Sequence, residues 1–355
     1  MKIYNKSESR YPHAPDVLER EFAENGFAKG WAMHCKPVPK YYFDSHIHYS
    51  DGKENVAEHL RFPAEAVESL GVKRLLVIFQ VYGKKWNYGM KTDNIMDNFP
   101  YFTTDELKKQ LGGLFANKDN NGRYFWSAYI NYQSSEKELV HTAADMGARC
   151  IKLHNAPQIE ENAPCDLWHS DEWQSVFGAI SERGLPVLWH VTQRLPGNAY
   201  TGGKRNAYWE NGWKNGVTYN NEDLLQVLLT CCRRNPDINF IGAHQLHIGW
   251  ERLDGLFTAH HNLYIDTTIG CQLKLYDDFY PHDKEYLRSV FIKWADRILF
   301  GTDSFGSYSE LNYLQHMRFI SMLDLPQDAL DKICHGNLER LCNIPELRDS
   351  DAIPT

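Results

Sequence analysis

The chain has 355 residues, of which 43% are hydrophobic and 24% are charged, and this composition argues against a largely disordered protein. The 38 Lys and Arg residues against 46 Asp and Glu give a formal net charge of -8, which argues against a general nucleic-acid or membrane-surface binder. The first residues contain no apolar leader segment and no later stretch approaches the roughly 18 apolar residues of a membrane span, so we expect a cytoplasmic protein.

Short apolar runs alternate with amphipathic helical patterns after an N-terminal extension, residues 1–40. Eight such runs are present, at residues 41–48, 74–80, 123–131, 148–154, 186–192, 239–245, 263–268 and 297–304. Alternation of this kind predicts parallel β-α units, and eight units close a (β/α)8 TIM barrel of the α/β class. The alternative, an open doubly wound sheet, usually has a glycine-rich turn after its first strand, whereas "HIHYSDG" stands here. We therefore predict an extension packed on one barrel domain, residues 41–355.

Two connections are too long for plain loops, residues 81–122 after the second strand and residues 193–220 after the fifth. Both follow carboxyl ends of strands, the face where barrels form active sites, so we expect them to be walls or lids of a pocket. A decorative or oligomer-forming loop is the alternative. Basic residues and aromatics such as Trp209 and Trp213 in these connections would suit a small anionic or aromatic molecule. Arg194 is the best candidate for a carboxylate contact.

Polar side chains end five of the eight predicted strands. They are His46 and His48, Lys152 and His154, His190, His244, and Asp303. Because side chains alternate along a strand, the two histidines of "DSHIH" would share one face, and barrel closure would bring the whole set to one rim. An isolated His-x-His is otherwise two surface or core histidines near a turn. Imidazole and carboxylate suit zinc, iron or manganese, and zinc lowers the pKa of bound water to about 7.

These motifs resemble the amidohydrolase superfamily, in particular its family-2 branch, which contains aminocarboxymuconate-semialdehyde decarboxylase and related decarboxylases and lactonases. The matching elements are "DSHIH", His190, His244 in "FIGAH", Asp303 in "LFGTDS", and "ICHGNLERLCNI" at residues 333–344, which is similar to the C-terminal helix of that branch. The resemblance covers residues 41–345 and implies a metal-dependent enzyme. It is also the only basis for expecting a homodimer.

Carried over residue by residue, the resemblance implies one divalent metal bound by four side chains, His46, His48, His190 and Asp303. Asp303 would also be the general base, and His244 would polarise the substrate or assist the activated water. Zinc is the default expectation, manganese is the alternative, and a second metal bridged by Lys152 is not expected.

Three other residues keep alternatives open. Lys152 could carry a bridging carbamate, contact an anionic substrate together with His154, or pair within the barrel wall. His247 could be a pocket residue or a histidine at a helix start, because "HQLHIG" replaces the His-x-Gly turn of many relatives. Asp44 could orient a histidine ring or hold the base of the strand.

The leading functional prediction is a hydrolase that attacks an ester, lactone or amide bond of a small, anionic substrate with metal-activated water. A non-oxidative decarboxylase of a carboxylated small molecule would use the same residues. A third alternative, a binding or structural protein that has lost catalysis, predicts broken ligands, and none of the ligand positions is broken here.

Overall fold

The computed structural model describes residues 38–48, 71–82, 122–193, 207–248, 250–268, 284–305, 313, 316, 317, 319–321 and 323–347. Residues 1–37 of the extension, and therefore its predicted packing on the barrel, lie outside the described residues. So do residues 83–121 and 194–206, which make up much of the two long connections.

All eight predicted strands are present, with one further two-residue strand. They are β1 (Tyr42–His48), β2 (Val72–Tyr82), β3 (Tyr124–Ile130), β4 (Cys150–His154), β5 (Val187–His190), β6 (Phe240–Gly242), β7 (Leu263–Asp266), β8 (Ile298–Leu299) and β9 (Ser304–Phe305). The sheet order is β8-β7-β6-β5-β4-β3-β2-β1-β9, and every neighbouring pair is parallel. Since β8 pairs with β7 and β9 pairs with β1, the segment 298–305 joins both edges, and the sheet is a nearly closed (β/α)8 barrel.

Helices follow most of the strands, as the alternating pattern predicts. They are α1 (Lys137–Asp145), α2 (Ala156–Glu160), α3 (Asp171–Glu182), α4 (Ala207–Lys214), α5 (Asn221–Arg234), α6 (Trp250–Ala259), α7 (Lys284–Lys293), α8 (Gln327–Asp331) and α9 (Asn337–Leu341). A π-helical turn, Lys332–Gly336, connects α8 to α9. The α5 helix begins with a capping box, in which the Asn220 side chain accepts from the Asp223 backbone and the Asp223 side chain accepts from the Asn220 backbone.

The connection after β5 contains a packed helix. In α4, a Cβ on Gly212 would lie 2.7 Å from the Ile159 side chain, so glycine allows α4 to approach α2. Trp209 of α4 is buried and belongs to the protein core, whereas Trp213 is 51% exposed. Trp209 therefore does not line a pocket rim as the sequence suggested, because its ring is used in packing.

Apolar side chains form two layers. The outer layer lies between strands and helices and includes Ile151 and Leu153 of β4 with the α3 side chain Phe177. The inner layer fills the amino half of the barrel and contains Phe43, Leu76, Cys150, Leu188, Ile241 and Leu299, together with Leu338, Leu341, Cys342 and Ile344 from the C-terminal segment. The inner apolar filling is thus confined to one end of the barrel, and polar side chains occupy the other.

Candidate metal and active site

His46 and His48 lie on β1 with their rings in contact inside the barrel. The register of β1 against β2 shifts between Asp44 and Ile47, and Ile47 packs in the outer apolar layer. Because side chains alternate on either side of Ile47, both histidines face the interior, as predicted. The two Nε2 atoms are 3.1 Å apart, and both rings are buried.

Asp303 joins this pair from the segment between β8 and β9, directly before the strand β9 that pairs with β1. Its Oδ1 atom lies 3.0 Å from His48 Nε2 and 3.3 Å from His46 Nε2, and its backbone N–H donates to the His46 carbonyl at 2.8 Å. Asp303 has φ 54°, a left-handed conformation that is uncommon outside glycine. A Cβ on Gly301 would lie 2.7 Å from Ser45 Oγ, so glycine lets this segment approach β1 closely enough to deliver the carboxylate.

The pKa shifts of His48 and Asp303 fit a metal ion. Burial lowers the pKa of His48 to about 4. Burial alone would raise the pKa of the Asp303 carboxyl, but the surrounding His46, His48 and His244 hold it well below its usual range. One ligand atom from each of His46, His48 and Asp303 lies within 4.8 Å of the other two. Neutral imidazoles and a carboxylate are the donor set of zinc and related divalent ions, so this group could hold one.

His190 is not a member of this three-residue group and is connected to it through His244, whose ring centroid is 5.4 Å from that of His46. Its ring centroid is 4.4 Å from that of His244 and 4.2 Å from that of His154. Burial lowers its pKa well below the ordinary value, so the ring is neutral. Its Nε2 atom is buried without a hydrogen-bond partner among the residues that the structure describes. Since buried polar atoms are normally paired, this atom also fits a metal ion, although the role of His190 as a fourth ligand stays a prediction.

His154 and His247 flank the row of histidines. His154 is buried at the end of β4, where its Nδ1 atom accepts a hydrogen bond from the Ala156 backbone at 2.9 Å. The ring centroid of His247 lies 5.1 Å from that of His244, and its Nδ1 atom donates to the Thr192 carbonyl at 3.1 Å. Both rings therefore border the site. A contact of either ring with substrate stays a prediction.

The turn that carries His244 departs from the predicted strand. The sixth run was predicted to extend to residue 245, but β6 ends at Gly242. Residues 244–247 all have φ between 49° and 57°, so the chain makes a left-handed turn out of the sheet. The Gln245 Nε2 atom donates to the Asp266 and Thr268 carbonyls at 2.7 and 2.9 Å and ties this turn to the end of β7.

Asp266 is the residue that sequence reasoning missed. Its Oδ2 atom lies 2.8 Å from His46 Nδ1, so it holds that ring with Nε2 directed toward His48 and Asp303. Asp266 is fully buried at the carboxyl end of β7. Its position in "LYIDTT" at a strand end is the same signal that singled out the other polar residues, and it could have been found in that way.

Asp44 holds the strand base rather than a histidine ring. Its Oδ1 atom accepts from the His46 and Thr302 backbones at 3.0 and 3.1 Å, and its Oδ2 atom accepts from the Thr302 and Tyr313 hydroxyls. Burial raises the pKa of Asp44 to about 6. The second of the two alternatives for Asp44 is the one that the structure favours.

Lys152 is buried on β4 between the apolar filling and the histidines. Its Nζ atom lies 3.1 Å from His46 Nε2. Burial lowers the pKa of the amine to about 8, while the nearby Asp303 and Asp266 carboxylates act in the opposite sense. The amine therefore points into the site and not into the outer wall. Arg194, the other predicted cation, lies outside the described residues.

Comparison with known proteins gives a family and a fold. A family model described as amidohydrolase matches residues 43–343. No curated protein matches the chain. Among the residues that the structure describes, no helix is long and apolar enough to cross a bilayer.

Three solved structures share the fold at low sequence identity. A dihydroorotase from Campylobacter jejuni matches with a TM-score of 0.54 at 15% identity, over 89% of this chain and 86% of that chain. A 2,6-dihydroxybenzoate decarboxylase from Rhizobium matches with a TM-score of 0.51 at 12% identity, over 86% and 99%. An uncharacterized TIM-barrel protein from Bordetella bronchiseptica matches with a TM-score of 0.51 at 14% identity, over 86% and 99%. With its family match spanning most of the sequence and buried histidines meeting an aspartate at the carboxyl end of the barrel, the chain belongs to the family-2 branch of the amidohydrolases and is an enzyme.

Proposed function

We propose that the chain is a metal-dependent hydrolase that cleaves an ester, lactone or amide bond of a small, anionic substrate. The observation that carries this proposal is the approach of His46 Nε2, His48 Nε2 and Asp303 Oδ1 within 4.8 Å of one another. These atoms lie at the carboxyl end of the barrel, the face on which barrel enzymes carry out their chemistry.

In the proposed site His46, His48, His190 and Asp303 hold one divalent ion. Zinc is the default from the ligand types, and manganese would also accept them. The ion would polarise the scissile carbonyl and lower the pKa of a bound water. The buried position of the ligand atoms excludes bulk solvent and strengthens their electrostatic effect.

Asp303 is the proposed proton acceptor. Its Oδ1 atom lies 3.0 Å from His48 Nε2 and 3.3 Å from His46 Nε2, so the carboxylate would be within reach of a water activated at the metal position and could take its proton. The same group would return that proton to the leaving group. His244 would assist at the water or at the carbonyl.

Lys152 is the proposed contact for the negative charge of the substrate. Its amine is buried, directed into the site and 3.1 Å from His46 Nε2. A charge-assisted hydrogen bond in this position would hold a carboxylate next to the reacting bond. Arg194 and His247 are the further proposed contacts.

A non-oxidative decarboxylase is the second candidate. The buried Lys152 amine favours it, since a cation near the ligand group could orient a carboxylate that is itself the leaving group. In that reaction the bond from carbon to the carboxylate breaks, CO2 leaves, and an acid of the site gives a proton to the carbon.

The test is metal analysis followed by two substrate panels. We expect about one equivalent of metal per chain and loss of both metal and activity in a His46→Ala, His48→Ala double variant. His141→Ala is the matched control, because His141 lies on α1 outside the site. Turnover on lactones, esters or amides without CO2 release supports the hydrolase, and CO2 release from aromatic acids supports the decarboxylase. A metal-free, inactive protein with a normal fold would contradict both.

A further inference from the structure

We infer that Asp266 and Thr268 form a relay that fixes the tautomers of His46 and His244 and leaves His244 Nε2 as a hydrogen-bond acceptor. This inference rests on the proposed function, in which Asp303 takes the proton of the attacking water, and its new content is the positioning of His244 by Asp266 and Thr268. Asp266 and Thr268 are positioning residues in this account, because they act through the two histidines.

The Asp266 carboxylate is surrounded by donors. Its Oδ1 atom accepts from the backbone N–H of His244 at 2.8 Å and from that of Thr268 at 3.2 Å. Its Oδ2 atom lies 2.8 Å from His46 Nδ1. A proton on Oδ1 would collide with two backbone hydrogens that point at the same atom, so Oδ1 acts only as an acceptor.

The Thr268 hydroxyl has one proton, and its contact with Asp266 determines which atom accepts the hydrogen bond from it. Thr268 Oγ1 lies 2.6 Å from Asp266 Oδ1, which has no proton to give, so the hydroxyl donates to the carboxylate. The same Oγ1 lies 2.8 Å from His244 Nδ1. Because the hydroxyl proton is already used, Oγ1 accepts here and His244 Nδ1 carries the hydrogen.

The consequence is one protonation pattern for two histidines. In the neutral form of an imidazole only one nitrogen carries a proton. His46 with its proton on Nδ1 presents an Nε2 lone pair toward His48 and Asp303, which a metal ligand requires. His244 with its proton on Nδ1 presents an Nε2 lone pair, which can accept a proton but cannot donate to an oxyanion.

The left-handed turn at residues 244–247 supports this arrangement. Positive φ at these non-glycine residues costs free energy, and Gln245 together with the His244 backbone N–H ties the turn to Asp266 and Thr268. The hydrogen bonds of the His244 backbone and the Gln245 side chain are thus made to the same two residues that set the tautomers. The strained backbone places His244 where the relay reaches it.

The direct test is the tautomer of His244 in protein labelled with ¹⁵N-histidine. Two-bond ¹H–¹⁵N correlation spectra separate the two neutral tautomers, and the His244→Gln variant identifies the signals by their loss. We expect a proton on Nδ1 in the zinc-loaded and metal-free proteins alike. A proton on Nε2 would overturn the inference even if the enzyme is a fully active hydrolase, whereas a proton on Nδ1 in a protein without hydrolase activity would overturn only the proposed function.

Three variants separate the two arms of the relay. Thr268→Val keeps the shape of the side chain and removes the hydroxyl, so we expect kcat to fall about 10- to 100-fold with KM and metal content unchanged. Thr268→Ser restores the hydroxyl and should restore both kcat and the tautomer. Asp266→Asn should in addition weaken metal binding, because it also removes the acceptor from His46 Nδ1.

The matched control is Thr258→Val, the same substitution on the exposed face of α6, which should leave kcat and spectra unchanged. Wild-type kcat and an unchanged tautomer in Thr268→Val would contradict the relay. If Thr268→Val did not fold, Thr268→Ser and the wild-type spectra would still decide the question.

Discussion

The two ends of this barrel have the same strand scaffold and opposite interiors. At the amino end the inner side chains are apolar, and Leu338, Leu341 and Ile344 of the C-terminal segment pack against them. Glu339 there accepts hydrogen bonds from Arg74 and from the Tyr41 hydroxyl. At the carboxyl end the inner side chains are histidines, aspartates and a lysine, which are buried close to one another.

The comparison indicates that the amino end of the barrel contributes mainly to stability and that the carboxyl end carries the proposed chemistry. Burial of apolar surface and satisfied polar groups stabilise the amino end. At the carboxyl end, burial lowers the pKa of His48 and Lys152, and left-handed residues such as Asp303 bring the site together at a cost. Variants at the two ends should therefore affect different measurements.

The largest effect is expected for Asp303→Asn at the carboxyl end. The amide keeps the size of the side chain but cannot accept the proton of the attacking water, so kcat should fall about 100- to 10,000-fold. The free energy of unfolding of the metal-free protein should fall as well, because the surrounding histidines hold the Asp303 pKa well below its usual range and the ionised carboxylate therefore stabilises the fold at neutral pH. Steady-state kinetics and urea denaturation measure the two effects, and full turnover with metal bound would show that Asp303 is not the base.

The amino end should show a different pattern in Glu339→Ala, a loss of stability without a loss of turnover. Removing this carboxylate leaves the Arg74 guanidinium buried without its partner, and the two side chains are 5% and 4% exposed. We expect a loss of about 3 to 5 kcal/mol in the free energy of unfolding, with kcat of the folded, metal-loaded protein within about twofold of wild type.

The control for this variant is Glu346→Ala. Glu346 pairs with Lys40 at the surface, and exposed pairs of this kind contribute about 0 to 1 kcal/mol. Loss of turnover without loss of stability in Glu339→Ala would remove the division between the two ends.

The fold was largely predictable because apolar runs indicate the strands and helical periodicity indicates the helices. The runs at 41–48 and 263–268, for example, correspond to β1 and β7 within one or two residues. The failures lie at β6 and β8, which end earlier than predicted. In "FIGAHQ" and "LFGTDS" the apolar pattern continues, but positive φ takes the chain out of the sheet, and residue type alone did not reveal that conformation.

Lys152 lies at the boundary between the apolar interior of the amino end and the polar interior of the carboxyl end. If its amine contacts the anionic substrate, Lys152→Met should raise KM about 10- to 100-fold with metal content unchanged, because a charge-assisted hydrogen bond is lost. If it carried a bridging carbamate, the variant would instead lose a second metal ion. Kinetics and metal analysis on the same preparation separate the two roles.

The smallest effect is expected for Gln245→Met in the left-handed turn. The thioether keeps the length of the side chain but gives no hydrogen to the Asp266 and Thr268 carbonyls. We expect a loss of about 1 to 2 kcal/mol in the free energy of unfolding and a drop in kcat, because the turn also positions His244. Gln226→Met on the exposed face of α5 is the control, and equal effects in the two variants would argue against a role for the turn.

The site was predictable in its ligand types and less so in what supports them. His46 and His48 lie at the end of β1, Asp303 lies between β8 and β9 within the predicted eighth run, and barrel closure brings them together. Asp266 acts on His46 across 220 residues of sequence, and its importance depends on a contact between strands that are not neighbours in the sheet. The position of Asp266 at a strand end was predictable from the sequence, but its contact with His46 was not.

The most direct test of the account is a crystal structure of zinc-loaded protein with anomalous scattering measured at the zinc edge. The account predicts one ion about 2.0 to 2.2 Å from His46 Nε2, His48 Nε2 and Asp303 Oδ1, with His190 Nε2 as the fourth protein ligand. An ion bound elsewhere, or none at this position in crystals grown with excess zinc, would contradict it.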